Sequence, residues 1–212
     1  MAVTMDTASY GTPTNTGGAN YTWDHTAGAL TNGYVTVAVF INNDTLHVES
    51  MTYDGVSMAI LGTVITVGGA TMFEVWGLKN PAGSGTKTIA FTQHSAEINR
   101  IGVVTWNGVD QASPTSNITS NTGSDAAPTV TVTSAVGDIA VATTHAYGAT
   151  FTPAQTLDYS TTGDGARYLA GQHMNGAASP VALAWSIDGP TAWGVHGFSL
   201  KAYVEVPGLM WL

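Results

Sequence analysis

The sequence predicts an all-β chain folded as an antiparallel β-sandwich of about 12 strands, and three observations predict it. Runs of alternating or uniformly apolar residues recur along its 212 residues. They are punctuated by Asn32-Gly33, Asp54-Gly55, Asn107-Gly108, Asp164-Gly165, Asn175-Gly176 and Asp188-Gly189, pairs that tolerate the positive φ of tight hairpin turns. No stretch keeps a 3.6-residue apolar period over a useful length.

Composition sets the outer bounds. Hydrophobic residues make up 44% of the chain, enough for a sizeable core, and charged residues only 9%, against about 25% in an average soluble protein. The polar surface must therefore be built from Thr, Ser, Asn and Gln. The net charge of −9 comes from 14 acids against five scattered bases, Lys79, Lys87, Arg100, Arg167 and Lys201. Without a cluster of bases, no nucleic-acid interface is expected, and an acidic membrane surface would repel the chain. Cysteine is absent, so stability must come from packing. The first residues lack the basic and apolar regions of a secretory signal, and no apolar run nears the roughly 18 residues of a membrane span. The expectation is a protein that is cytoplasmic when made, or a processed form.

In chain order, residues 1–20 are rich in Thr, Gly and Asn and read as an N-terminal arm. Residues 21–203 then read as a single sandwich. Tyr34 to Phe40 holds large or β-branched residues at nearly every position, as suits a central strand covered on both faces. A meander follows: His47 to Tyr53, Ser57 to Val67, and Thr71 to Leu78, where Phe73 and Val75 share one face and Met72 and Trp76 the other. Thr86 to Thr92 and Asn99 to Trp106 are further strands, the latter running into Asn107-Gly108, expected to form a hairpin turn. The Ser/Thr/Asn-rich stretch from Gln111 to Pro128 is expected to be a long crossover, as in Greek-key and jelly-roll topologies. Thr129–Thr133, Asp138–His145, Gln155–Tyr159, Ala166–His173, Val181–Ile187 and Thr191–Ala202 supply the later strands, with no exact internal repeat. Residues 204–212 end in Leu209, Met210, Trp211 and Leu212 after a Pro-Gly break. Such residues gain little by staying in water, so Val206, Pro207, Leu209, Met210, Trp211 and Leu212 are the expected partner-docking residues.

The residue types that carry chemistry form no strong constellation. The six histidines, His25, His47, His94, His145, His173 and His196, show no metal-ligand spacing, so no metal or cofactor is expected. Gly55-Val56-Ser57-Met58-Ala59 resembles a nucleophile elbow, but a strand rather than a helix follows it. Glu49, Glu74 and Glu97 are the acids considered for a glycosidase pair, Glu74 lying beside aromatic positions on its strand. Asp110, Asp138, Asp158, Asp164 and Asp188 sit near turns and have the oxygens for Ca²⁺, but Asx turn chemistry explains them without an ion and is the favoured reading. Trp23, Trp76, Trp106, Trp185, Trp193 and Trp211 could stack on sugars if exposed. Asn20, Asn43 and Asn117 begin Asn-x-Thr sequons.

Tyr21 to Thr26, the strand of Tyr34 to Phe40, Val75-Trp76 through Asn80 to Gly83, Val103 through Gln111, and Gly137 to Ala140 together resemble a jelly-roll module of tailed-phage virion proteins and bacterial surface proteins. The resemblance spans roughly residues 20 to 200 and rests on turn and core signatures. It implies a jelly-roll-like sandwich and carries over no catalytic residue. The expectation that follows is a non-enzymatic virion structural protein, a capsid decoration protein or another head or tail component. Its partners would be copies of itself and other virion proteins. The alternative is an extracellular glycan-binding adhesin or carbohydrate-binding module, with a host glycan as ligand.

Overall fold

The computed structural model describes residues 1–205 apart from 44, 46, 98 and 162–166, with the side chain of 117 also left aside. The described residues form 19 strands and no helix, an antiparallel all-β fold with more strands than the sequence suggested. The first half holds β1 (Thr4–Gly11), β2 (Thr14–Gly17), β3 (Asn20–Ala27), β4 (Tyr34–Ile41), β5 (Val48–Tyr53), β6 (Val56–Ser57), β7 (Ala59–Ile60), β8 (Ile65–Val67), β9 (Thr71–Lys79), β10 (Gly85–Gln93) and β11 (Asn99–Asn107). The second holds β12 (Thr115–Gly123), β13 (Thr129–Val132), β14 (Ile139–Tyr147), β15 (Phe151–Pro153), β16 (Thr156–Ser160), β17 (Arg167–Asn175), β18 (Val181–Ile187) and β19 (Trp193–Leu200).

These strands make four sheets. The first has the order β2-β3-β10-β5-β6 and the second β1-β11-β4-β9-β7, with β8 also on β9. The third runs β12-β19-β14-β17-β16 and the fourth β13-β18-β15. Both halves have jelly-roll connectivity, in which the first strand pairs with the last and each later pairing nests inside. Thus β1 pairs β11 and β3 pairs β10 in the first half, and β12 pairs β19 and β13 pairs β18 in the second. One exchange distinguishes the halves: β16, which corresponds to β6 of the first outer sheet, has joined the inner sheet beside β17.

Alternation of side chains explains how the sheets stack. Every residue of β4 is buried. Val35, Val37, Val39 and Ile41 pack with Met51, Ile89 and Phe91 of the first sheet, while Tyr34, Ala38 and Phe40 pack with Val141, Leu169 and Phe198 of the third. In turn Ala140, Ala142 and Val195 of the third sheet pack with Val130, Leu183 and Trp185 of the fourth. The chain is therefore a four-layer stack with three apolar layers, the middle one joining the two rolls. The face assignment read from β9 agrees: Phe73 and Val75 enter the middle layer and Trp76 the first.

Three segments differ from the sequence expectation, each for a physical reason. Residues 4–11, expected in an arm, are the edge strand β1, which is too polar to show an apolar alternation. Residues 115–123, expected in a crossover, are β12, which opens the second roll; Ile118 is its lone large apolar residue. At Asn107-Gly108 only Gly108 has a positive φ, 74°, so the type I′ turn does not form. Gly108 N–H donates to Thr31 O and Val109 N–H to Asn32 O, both at 2.9 Å, and the chain crosses to the second roll. Asp54-Gly55, with φ of 51° and 79°, makes the positive-φ turn between β5 and β6.

The middle layer is sealed at one point by an aromatic ring laid on two glycines. A Cβ on Gly102 of the second sheet or Gly171 of the third would overlap the ring of Tyr159. Gly102→Ala is expected to cost about 1–3 kcal/mol through overpacking, and less than that when made in a Tyr159→Leu background and compared with Tyr159→Leu alone. Urea unfolding of the wild type, both single variants and the double variant checks this; equal losses in the two backgrounds would show that the Tyr159 ring is not what constrains Gly102.

Candidate functional site: the polar seam between the rolls

The expected docking residues Val206, Pro207, Leu209, Met210, Trp211 and Leu212 lie outside the described residues. The described chain leads up to them beside the linker between the rolls, where Tyr203 N–H donates to Gly108 O at 2.8 Å and Lys201 N–H to Pro114 O at 2.9 Å.

The other residues considered from sequence disperse. Trp76, Trp106, Trp185 and Trp193 are buried, Trp23 is half-buried and donates to Ser9 Oγ at 3.0 Å, and Trp211 lies outside the described residues. Ser57 sits in the β5–β6 ladder opposite Thr52. Glu49 pairs with His94 at the surface. Glu74, at 1% exposure, is sealed between the first two sheets, taking N–H bonds from Val48 at 3.0 Å and from the Trp76 indole at 2.9 Å; burial pushes its pKa up. Asp110 accepts from Ala112 N–H and ties its own turn, whereas Asp138, accepting from Ala202 N–H and the Ser199 hydroxyl, and Asp188, accepting from Thr150 N–H, tie their turns to distant segments. Asp164 lies outside the described residues. Among the described residues, no group of three or more His, Asp or Glu is placed to hold a metal ion.

What the fold does gather is a set of polar and aromatic side chains in the middle layer. His145 is fully buried, stacks on Phe40 at 4.2 Å between ring centres, and donates from Nδ1 to Tyr168 O at 2.9 Å. His196 lies 5.1 Å from the Phe73 ring and donates from Nε2 to Phe73 O at 3.3 Å. Each histidine keeps its other ring nitrogen buried without a partner. Either form of the ring has an N–H for these bonds, so it is burial, with no acceptor at the second nitrogen, that lowers the pKa of His145 to about 3 and of His196 to about 4.

A bulge adds a second polar pair. The register of β16 against β17 slips between Leu157 and Tyr159, and the extra residue, Asp158, is aimed inward. Its carboxyl bonds His173 Nδ1, whose ring meets the edge of Trp106 at 5.5 Å. Asp158 Oδ2 is buried without a partner, and burial raises the pKa of this carboxyl. Asp158 also lines an approximately 10 Å³ cavity with Thr143, Tyr159, Gly102 and Gly171, about the space of one water molecule. No sequence signal could have joined Asp158 to His173, because the bulge that turns Asp158 inward leaves no mark in the alternation.

The Asp6, Thr7, Ser9, His25 and Thr105 group has the residue types of a nucleophilic relay in another arrangement. His25 Nδ1 meets Ser9 Oγ at 2.8 Å and Nε2 meets the Thr7 and Thr105 hydroxyls at 3.1 and 3.3 Å. Asp6 reaches Thr105 at 3.0 Å and Gly28 N–H at 2.8 Å, not the imidazole. A triad needs the carboxylate on the histidine, so this network instead fastens β1 to β3 and β11. Burial lowers the His25 pKa to about 4.

In comparisons with family models, with curated proteins and with solved structures, none matches this chain.

The seam predicts the acid limb of stability. Between pH 6.5 and about 4 an unfolded chain takes up protons on His145 and His196 that the folded chain refuses, so stability falls as pH drops through that window, by about 1.4 kcal/mol per pH unit for each fully buried histidine. His25 acts in the same sense. Glu74 and Asp158, with raised pKa values, act oppositely as they protonate in the folded state. The histidines outnumber them, so a net loss is expected. His145→Phe should make the slope of unfolding free energy against pH shallower by about one proton; an unchanged slope would remove His145 from the account.

Proposed function

We propose that this chain is a non-enzymatic structural protein of a virion exterior, a capsid decoration protein or another head or tail component, that associates with copies of itself and with the particle surface. One observation carries this reading: the polar chemistry is divided between inside and outside. Of the groups able to do acid–base work, His25, His145, His196, Glu74 and Asp158 are enclosed between sheets, while His94 and Glu49 pair at the surface. The outer face of the first sheet carries Thr22, Thr26, Thr52, Thr86, Thr88 and Thr92, a hydroxyl surface suited to contact and solvation rather than to proton transfer. Jelly rolls are widely used in capsids, and the resemblance read from the sequence points the same way. Fold alone does not assign a role, so the weight rests on this division. The apolar residues 209–212 supply the docking contact with the particle.

A glycan-binding role draws less support. Four tryptophans that would have to stack on sugars are buried, and among the described residues Tyr10, stacked on Tyr159, is the one exposed Phe, Tyr or Trp ring, at 48%.

The test is co-sedimentation of the purified protein with tailed-phage heads and tails, with light scattering to follow self-association. The full chain is expected to form oligomers and pellet with particles. Removal of residues 207–212 is expected to abolish pelleting with particles while leaving the circular dichroism spectrum and melting temperature unchanged. A full chain that stays monomeric, pellets with no particle and binds a defined glycan on an array would overturn the virion reading in favour of the glycan one.

A further inference from the structure

Open sheet edges are sites of strand pairing, and proteins shorten, bulge or charge the edges they keep free. Here the edges are treated unequally. In the outer sheets the edge strands β2, β6, β13 and β15 have four, two, four and three residues, and β15 ends at Pro153. In the second sheet β7 and β8 have two and three residues, while β1 is bulged at Asp6 and lies against β16, with Tyr10 stacked on Tyr159 at 6.3 Å. In the third sheet β16 has five residues and carries the Asp158 bulge. The remaining edge, β12, has nine residues and contains no Lys, Arg, Asp, Glu or Pro. After its register slip between Ser116 and Thr119, it runs unbroken against β19 from Thr119↔Gly197 to Gly123↔Trp193.

We infer that the Thr119–Gly123 edge of β12 pairs antiparallel with the same edge of a second copy about a two-fold axis, so that the two third sheets become continuous. This rests on the self-association in the proposed function and assigns its surface. Three observations select a second copy as the occupant. The edge is uncharged on a chain of net charge −9, so two copies approach with least repulsion there. A strand of alternating Thr, Ser and Asn is complementary to itself when reversed, as an isologous contact requires. The Thr122 N–H is met by the side chain of its own neighbour, Asn121 Oδ1 at 3.0 Å, a local substitute that a ladder partner can displace. Beside the edge, Ile118 and Ile60 are 38% and 40% exposed, and Gly62, two residues beyond Ile60, packs directly on Ile118. The pairing thus carries apolar side chains from both inner sheets along its margin.

The full-length protein is studied by light scattering over a concentration series, together with Thr122→Lys, which sets two ammonium groups near each other across the axis. Ser120→Cys provides a single thiol, since the chain has no other cysteine. The expected results are a wild-type dimer, at least a tenfold weaker dissociation constant for Thr122→Lys with unchanged melting temperature, and a covalent dimer of Ser120→Cys on mild oxidation that Thr122→Lys suppresses. A wild-type dimer or larger oligomer unaffected by Thr122→Lys and not captured through Ser120→Cys overturns the edge while leaving self-association standing. A chain that remains monomeric throughout overturns both.

Discussion

The structure depends on one constraint: a β-strand that is apolar on both faces has to be covered on both sides. β4, β11, β14 and β19 are buried along essentially their whole length. A lone sandwich can cover only one face of each of its sheets, so two sandwiches must share a layer. The other features follow from that shared layer. The outer sheets can alternate freely between buried and exposed positions, as β18 does from Val181 to Ile187, because only the inner pair lacks a solvent face. Of the polar groups that are costly to bury, His145, His196 and Asp158 lie where the rolls meet, while His25 and Glu74 lie inside the first roll.

The seam shows how that cost is met. Thr143 shares its hydroxyl with Tyr159 at 2.8 Å and with Ala170 O at 3.2 Å, the Trp106 indole donates to Thr36 at 3.1 Å, and each buried imidazole gives its one N–H to a main-chain carbonyl. The satisfaction is incomplete, since His145 Nε2, His196 Nδ1 and Asp158 Oδ2 have no partner. Buried polar groups left in this state are expensive, and their use at a contact between two similar sheets is consistent with fixing the register of one roll on the other, a role that apolar packing alone performs poorly.

Much of the architecture was legible in the sequence, and what was not legible has a common cause. The central position of Tyr34–Phe40, the two-faced pattern of β9 and the turn at Asp54-Gly55 could be read because hydrophobic alternation and positive-φ residues mark them directly. β1 and β12 could not, because an edge strand made of Thr, Ser and Asn has the composition of a loop. Missing those two strands conceals the doubling, since each is the first strand of its roll. The seam was invisible for a different reason: Asp158 and His173 are joined by a bulge, and His145 and His196 by a sheet pairing in which Thr143 faces His196, neither of which leaves a spacing motif.

The nesting of first strand against last also sets an order of events in time. Thr4 pairs with Asn107 and Thr115 with Leu200, so neither roll can close until nearly all of it has been made, and folding dominated by such distant pairings is slow. On a ribosome, which adds about 5–20 residues each second, the first roll closes while the second is still being synthesised. For several seconds the sheet bearing Phe40, Phe73 and Val104 has no cover, since Phe198 and Leu200 arrive last. The nascent chain is therefore most vulnerable to a wrong partner midway through its synthesis, with its first half already folded.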